Sequence, residues 1–338
     1  MFKNKKNKQK GSAIALVEIA MSIAVLYAGI YTYNTLSDTN YSYLKRTKND
    51  AAITDMYNVM LENYKNNAST IEKTEDARIV ENDFVIENNS FISTDTMRKL
   101  SAKTSVRLKD GLDGYSKPFK IFVSKRLEYY YMGVNIPYRV IAIVSSNNGE
   151  TYKSKMIPST GQLSIDKSEK VLVINTLSYQ ISNFNESVNK LDKISYMYSR
   201  YYFNSYNNYN EKLLNKNKNY VNFFYDNNNI KKTSINSIFN GYNTAGEPMS
   251  EVFKNIKNSM GLNSDLFSSN YLYKDAWGND MYIMNSGEFY NIKVGGNYTT
   301  LKAKEIGTND EEPLPFTSII SFTMSNGETY YKTVLSKT

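Results

Sequence analysis

Between Ile14 and Tyr33 the chain runs through twenty residues carrying one charge, Glu18, and just before them stand five lysines and no acid, from Lys3 to Lys10. Twenty residues of helix span about 30 Å, enough to cross a bilayer. A carboxylate inside such a span costs roughly 2.5–3.5 kcal/mol, which makes Glu18 a functional candidate. The flanking lysines would hold the N-terminus in the cytoplasm and send everything after Tyr33 to the other side. Three readings compete. A plain anchor explains the length and the lysines but leaves Glu18 unused. A cleavable secretory signal finds a small-x-small site at Ser22-Ile23-Ala24, but that site lies inside the apolar run. The third reading places a cut ahead of the run and uses every residue.

Lys10-Gly11-Ser12-Ala13 followed by Ile14-Ala15-Leu16-Val17-Glu18 resembles a type IV prepilin leader and the start of the mature pilin helix. The resemblance implies cleavage after a small residue, with a glutamate fifth in the mature chain, and so a cut between Ala13 and Ile14. Gly11 is the usual residue type before the cut, but cutting there would leave Glu18 seventh. Ile14 in place of the common aromatic, and Thr35 where shorter-leader pilins carry proline, place the match nearer the longer-leader class. The cut would expose a cationic amine on Ile14, usually methylated in this family. Glu18, one turn away, could pair with the amine of an adjacent subunit and fix its register. The alternatives are that Glu18 pairs with its own amine or snorkels. The implied partners are other pilin subunits, a prepilin peptidase, a pilus assembly platform, the inner membrane and a surface receptor. The implied location is the bacterial inner membrane, as a single-pass protein with a cytoplasmic N-terminus, and then an extracellular pilus.

Removing a leader of five lysines and no acid takes the formal charge from +8 to +3, so nucleic acid is not implied as a partner. The chain has neither cysteine nor histidine. Core packing rather than disulfides must therefore hold the fold, and Ser-His-Asp triads and histidine zinc sites are excluded. No phosphate loop, dinucleotide fingerprint or nucleophile elbow appears. The expectation is a protein without catalysis, cofactor or metal site.

The apolar run continues as helix to about Asn66, with Ile53, Tyr57, Met60 and Tyr64 at helical spacing and Gly29 and Ser37–Asn40 as its weakest points. Residues 67–105 predict a connection with a short helix capped by Thr94 or Asp95 and anchored by Met97 and Leu100. Strands are predicted at Phe119–Val123, Tyr138–Ser145 and Thr151–Ile157, the last two joined by a hairpin turn at Asn147-Asn148-Gly149. A meander ending near Asp166 results. A second helix is predicted over 170–203, because Ile174, Leu177, Ile181, Phe184, Val188 and Leu191 form an apolar stripe. Packing on its own sheet is preferred to a trimeric coiled coil.

Two segments repeat. The segment from Asp113 to Ile121 (Asp113-Gly114-Tyr115-Ser116-Lys117-Pro118-Phe119-Lys120-Ile121) parallels that from Asp275 to Ile283 (Asp275-Ala276-Trp277-Gly278-Asn279-Asp280-Met281-Tyr282-Ile283), and Asn148-Gly149-Glu150-Thr151-Tyr152 recurs unchanged as Asn326-Gly327-Glu328-Thr329-Tyr330. The same order of elements around both matches predicts an internal duplication, with Pro248-Met249-Ser250 opening a second short helix. Asp-x-Trp-Gly-Asn before a strand also resembles the turn that opens the sheet in secretion pseudopilins and many pilins. The order of elements over residues 14–157 resembles the constant region of shufflon-type tip pilins. The aromatic run from Tyr196 to Tyr209 reads as a partly buried helix end in preference to a stacking surface for bases or glycans. Asp310-Glu311-Glu312 reads as a solvated acidic loop in preference to a calcium site.

The resulting expectation is α+β: a leader over 1–13 and a helix over 14–66, membrane-spanning to about 33. A first pilin-like lobe occupies 67–167 and a second, duplicated helix-plus-sheet lobe 168–338. The function implied by the resemblance is a large minor or tip pilin. The alternatives are a pseudopilin of a type II secretion system or a membrane-anchored adhesin that does not assemble.

Overall fold

The computed structural model describes residues 5–106, 111–146, 151–214, 247–248, 273–284, 289–294, 297–302 and 317–335. Helix α1 runs Lys5–Ile71. It is followed by β1 (Arg78–Val80), β2 (Val85–Glu87), β3 (Ser90–Phe91), α2 (Thr94–Lys103), β4 (Lys120–Val123), β5 (Leu127–Tyr131), β6 (Val134–Tyr138) and β7 (Val140–Ser146). Then come β8 (Lys155–Ile157), β9 (Gln162–Ser164), β10 (Glu169–Asn175), α3 (Leu177–Asn208) and α4 (Glu211–Leu214). The last described elements are β11 (Glu247–Pro248), β12 (Tyr282–Met284), β13 (Phe289–Val294), β14 (Asn297–Lys302), β15 (Thr317–Thr323) and β16 (Thr329–Leu335). The protein is thus mixed helix and antiparallel sheet with a long N-terminal helix. Two four-stranded sheets carry it, in the orders β10-β7-β4-β3 and β11-β12-β15-β16. The pairs β5-β6 and β13-β14 form separate two-stranded ribbons.

The membrane expectation is overturned. Among the described residues no helix is long and apolar enough to cross a membrane, so a single-pass inner-membrane anchor with a cytoplasmic N-terminus does not hold. Thr32, Asn34, Thr35, Ser37 and Asp38 follow Tyr31 within two turns and dilute the apolar run. Gly29 and Ser37–Asn40 do not break α1, which stays helical for 67 residues with non-helical dihedrals only at Asn67. Threonines relieve their own polarity here: the hydroxyls of Thr32, Thr35 and Thr39 each donate to the carbonyl four residues back at 2.8 Å.

The lower part of α1 buries one face. Ile53, Met56, Val59, Met60, Tyr64 and Ile71 meet Ile121, Val123, Ile141 and Ile143 of the first sheet. α2 starts one residue earlier than predicted: Ser93 is its cap and accepts from the Thr96 N–H at 3.1 Å. Met97 and Leu100 are buried as expected. The run from Glu169 to Asn175 is not helix but β10, which pairs with β7 along its whole length. Ile174 therefore packs in the first core. β-Branched residues at Val171, Val173 and Ile174 favour the strand, and Asn175-Thr176 ends it. β8 pairs with β9 rather than with β7, so the predicted second and third strands do not form a hairpin. Their turn at 147–149 lies outside the described residues, as do residues 249–250 of the second short helix and the 310–312 acidic loop.

α3 places Phe184, Leu191, Ile194 and Tyr198 against Ile320, Phe322 and Val334 of the second sheet. Tyr198, Tyr201 and Tyr202 are buried while Tyr196 and Phe203 are exposed, so much of the aromatic run serves the core.

The two Asp turns share the same backbone and Oδ1 hydrogen bonds. Asp113 N–H donates to the Lys117 carbonyl and Asp275 N–H to the Asn279 carbonyl, both at 2.8 Å. Each aspartate Oδ1 accepts the N–H groups two and four residues on, at 2.8–2.9 Å. Ser116 and Gly278 take positive φ at the same place, +60° and +85°.

Candidate assembly surface

The docked and undocked parts of α1 meet at Asn49. Its buried Oδ1 accepts from the Gly114 N–H at 3.1 Å and from the Ser145 hydroxyl at 2.6 Å. Asp113 Oδ2 accepts from the Ser145 and Ser146 hydroxyls at 3.0 and 3.2 Å. The turn and the sheet therefore grip the helix at one point. The second Asp turn grips α3 likewise, the Ala276 N–H donating to Ser187 Oγ at 2.9 Å.

N-terminal to Asn49 the helix stands away from the sheet. Val25, Leu26, Tyr27, Tyr31 and Tyr33 are 64–76% exposed, and Tyr43 and Leu44 are 68% and 64% exposed. A run of large apolar side chains this exposed along several turns of a helix is unusual for a monomer surface. Gly29 lies within it, and a Cβ there would meet nothing within 4 Å. Ala13, Ile14 and Glu18 all fall on α1, N-terminal to this surface and in one continuous helix. Their side chains lie outside the described residues.

The C-terminal end of α1 is fixed by a buried polar chain that the sequence reading missed. Arg139, fully buried, donates to the carbonyls of Asp76 at 2.6 Å, Ser124 at 3.0 Å, Ile71 at 3.3 Å and Thr74. Its Nε lies 3.3 Å from Glu72, also fully buried. Glu72 accepts from the Tyr64 hydroxyl at 2.6 Å, and that hydroxyl accepts from Gln180 at 2.5 Å. Gln180 in turn accepts from the Trp277 indole at 2.6 Å. The chain thus joins α1, the first sheet, α3 and the second Asp turn. Burial pushes the Glu72 carboxyl up, against the opposing pull of Arg139, and pushes the Arg139 guanidinium down. A signal was available: Arg139 is a lone charge between the apolar runs Val134–Tyr138 and Val140–Val144, the same oddity that drew attention to Glu18.

The β5-β6 ribbon also crosses between the sheets. Val134 and Ile136 are buried in the second core, and the Tyr131 ring packs edge-on against Phe184 at 5.7 Å. Glu328 accepts from the Asn135 N–H and side-chain amide, the latter at 2.8 Å, and Asn326 donates to the Asn135 carbonyl at 2.8 Å. Among the described residues no group of three or more acidic side chains could hold a metal ion. No protein-family model, curated protein or solved structure matches the chain.

Proposed function

We propose that the chain is a pilin-like structural subunit, a large minor or tip pilin of a bacterial surface filament, and that its lobes are duplicated. The observation that carries this reading is α1. Its lower half is buried on an antiparallel sheet while its upper half presents exposed Val, Leu, Ile and Tyr side chains. A helix so divided gains from burying its upper half against helices of other subunits, at about 25 cal/mol per Å². The prepilin-like cut would fall between Ala13 and Ile14. In a water-poor helical bundle, Glu18 would then meet the Ile14 amine of a neighbour.

Duplication is supported by topology. Read from the short edge, the sheets run β3-β4-β7-β10 and β11-β12-β15-β16, with a two-stranded ribbon following the second strand in each. α1 packs on β7 and β10, and α3 on β15 and β16. Aligning Asn49 with Ser187 brings Ile53, Met56, Met60 and Tyr64 onto Leu191, Ile194, Tyr198 and Tyr202, all buried.

Leu26→Asp with Tyr31→Asp tests the assembly role. The variant should keep the thermal stability of the parent chain, since both positions are exposed, and should disappear from surface filaments sheared from cells. Undiminished recovery with the filaments would overturn the proposal.

A further inference from the structure

Asn63 of α1, Glu81 in the turn between β1 and β2, and Lys103 at the end of α2 meet at one point. Asn63 is 1% exposed and the Glu81 side chain 3%. The two oxygens of Glu81 are divided between two nitrogens. The Asn63 side-chain amide donates to Oε1, and the Lys103 ammonium donates to Oε2 at 3.1 Å. Phe84, also buried, packs beside the lysine head, its ring centre 5.2 Å from Nζ. At the other end of the Asn63 carboxamide, the Asn67 side-chain amide donates to Oδ1 at 3.3 Å. A lysine needing only a countercharge already has one in the exposed Asp83, at 2.8 Å. The buried carboxylate adds something an ion pair does not require, a bridge from an amine to a carboxamide.

We propose that Lys103 and Asn63 join in an isopeptide bond, with Glu81 as the proton carrier. The carboxylate takes a proton from the Lys103 ammonium, and the freed amine swings to attack Asn63 Cγ. Asn67 donates to the oxygen on which charge then develops. Glu81 passes its proton to Nδ2, the Cγ–Nδ2 bond breaks and ammonia leaves. One C–N bond forms and one breaks. The second proton shed by the lysine nitrogen departs with the ammonia as ammonium ion, and no other reactant is consumed. Asp83 first, and Glu81 with it, hold the Lys103 ammonium above its usual range, so the bond forms slowly near neutral pH and faster in alkali. Other charges on these elements are engaged elsewhere: Lys99 with Asp95 at 2.7 Å, and Glu62 with the Ser105 N–H and hydroxyl. In a chain without cysteine the bond ties the buried half of α1 to α2. It is independent of what the exposed half of α1 binds.

Peptide mapping of the purified full chain by mass spectrometry tests this. The expected product is a branched peptide that carries residues 63 and 103 and lacks the mass of one ammonia. Its share should grow when the folded chain is held in alkaline buffer. Lys103→Arg keeps the charge beside Glu81 and Asp83 and should yield unbranched peptides only. Asp83→Asn, at an exposed position, should speed the growth several-fold, and Glu81→Gln should slow it at least as much. Asn-Gly pairs such as Asn326-Gly327 can also shed ammonia by closing on themselves, so the mass of the whole chain does not suffice. A deficit that persists in Lys103→Arg, with no branched peptide in the parent chain, would belong to those pairs and overturn the proposal. Unbranched peptides at full mass after prolonged incubation in alkali would overturn it too, and reduce the three side chains to an ion pair and a hydrogen bond.

Discussion

Arg139, fully buried, holds four backbone carbonyls and one carboxylate. Three of those carbonyls, Ile71, Thr74 and Asp76, come from the end of α1 and the loop after it, and the fourth, Ser124, follows β4, so the guanidinium stands in for the missing next turn of helix and ties it to the sheet. Arg139→Met would leave Glu72 buried without its cation. The expected loss is about 3–5 kcal/mol near neutral pH by denaturant unfolding. The loss should shrink in acid, where Glu72 takes up a proton, and a pH-independent loss would point to packing alone. Asp275 offers a second titration. Burial raises its carboxyl to about 6, against the hydrogen bonds from Asn279 and Trp277. The folded chain therefore keeps this proton after the unfolded chain has released it. From about pH 4 to pH 6 its contribution to stability falls as pH rises, by up to about 3 kcal/mol, and is constant above that. Asp275→Asn should flatten this part of the stability–pH curve. An unchanged slope would mean the group titrates normally.

At the scale of elements, each helix is held by its sheet and by an Asp turn. Gly114 shows how close that grip is: a Cβ there would stand 2.5 Å from the Lys45 carbonyl oxygen, against backbone that cannot move aside. Gly114→Ala should cost about 1–3 kcal/mol and lower the melting temperature measured by circular dichroism. A neutral result would show that α1 can shift away from the turn. The second turn already has alanine at this place, and there the helix offers the smaller Ser187 in place of Asn49. Periodicity made α1 and most of α3 legible, and Met97 and Leu100 marked α2. The strand at Glu169–Asn175 was misread because Ile174 fits the helical stripe of α3 as well as it fits a strand. Only its pairing with β7 separates the two. The ribbon β5-β6 was not read at all: the apolar residues of β6, Val134 and Ile136, are buried in the core of the other lobe.

For the whole molecule, the two sheets are joined by more than their connecting chain. Trp277, the single tryptophan, packs against both cores and ends the polar chain from Arg139. The β5-β6 ribbon supplies Val134 and Ile136 to the second core. Thermal unfolding should accordingly proceed in one cooperative step, with Trp277 fluorescence and far-ultraviolet circular dichroism sharing a midpoint. Two separated midpoints would show that the lobes melt independently. Local spacing along the chain was enough to foretell α1, α2, most of α3, and both Asp turns and their likeness. These depend on residues within a few positions of each other. Beyond its reach lay the partners of buried charge, the assignment of β10 to the first sheet and the crossing ribbon. Each of these is a contact between residues far apart in sequence, selected by which surfaces remove the most apolar area while pairing most buried polar groups.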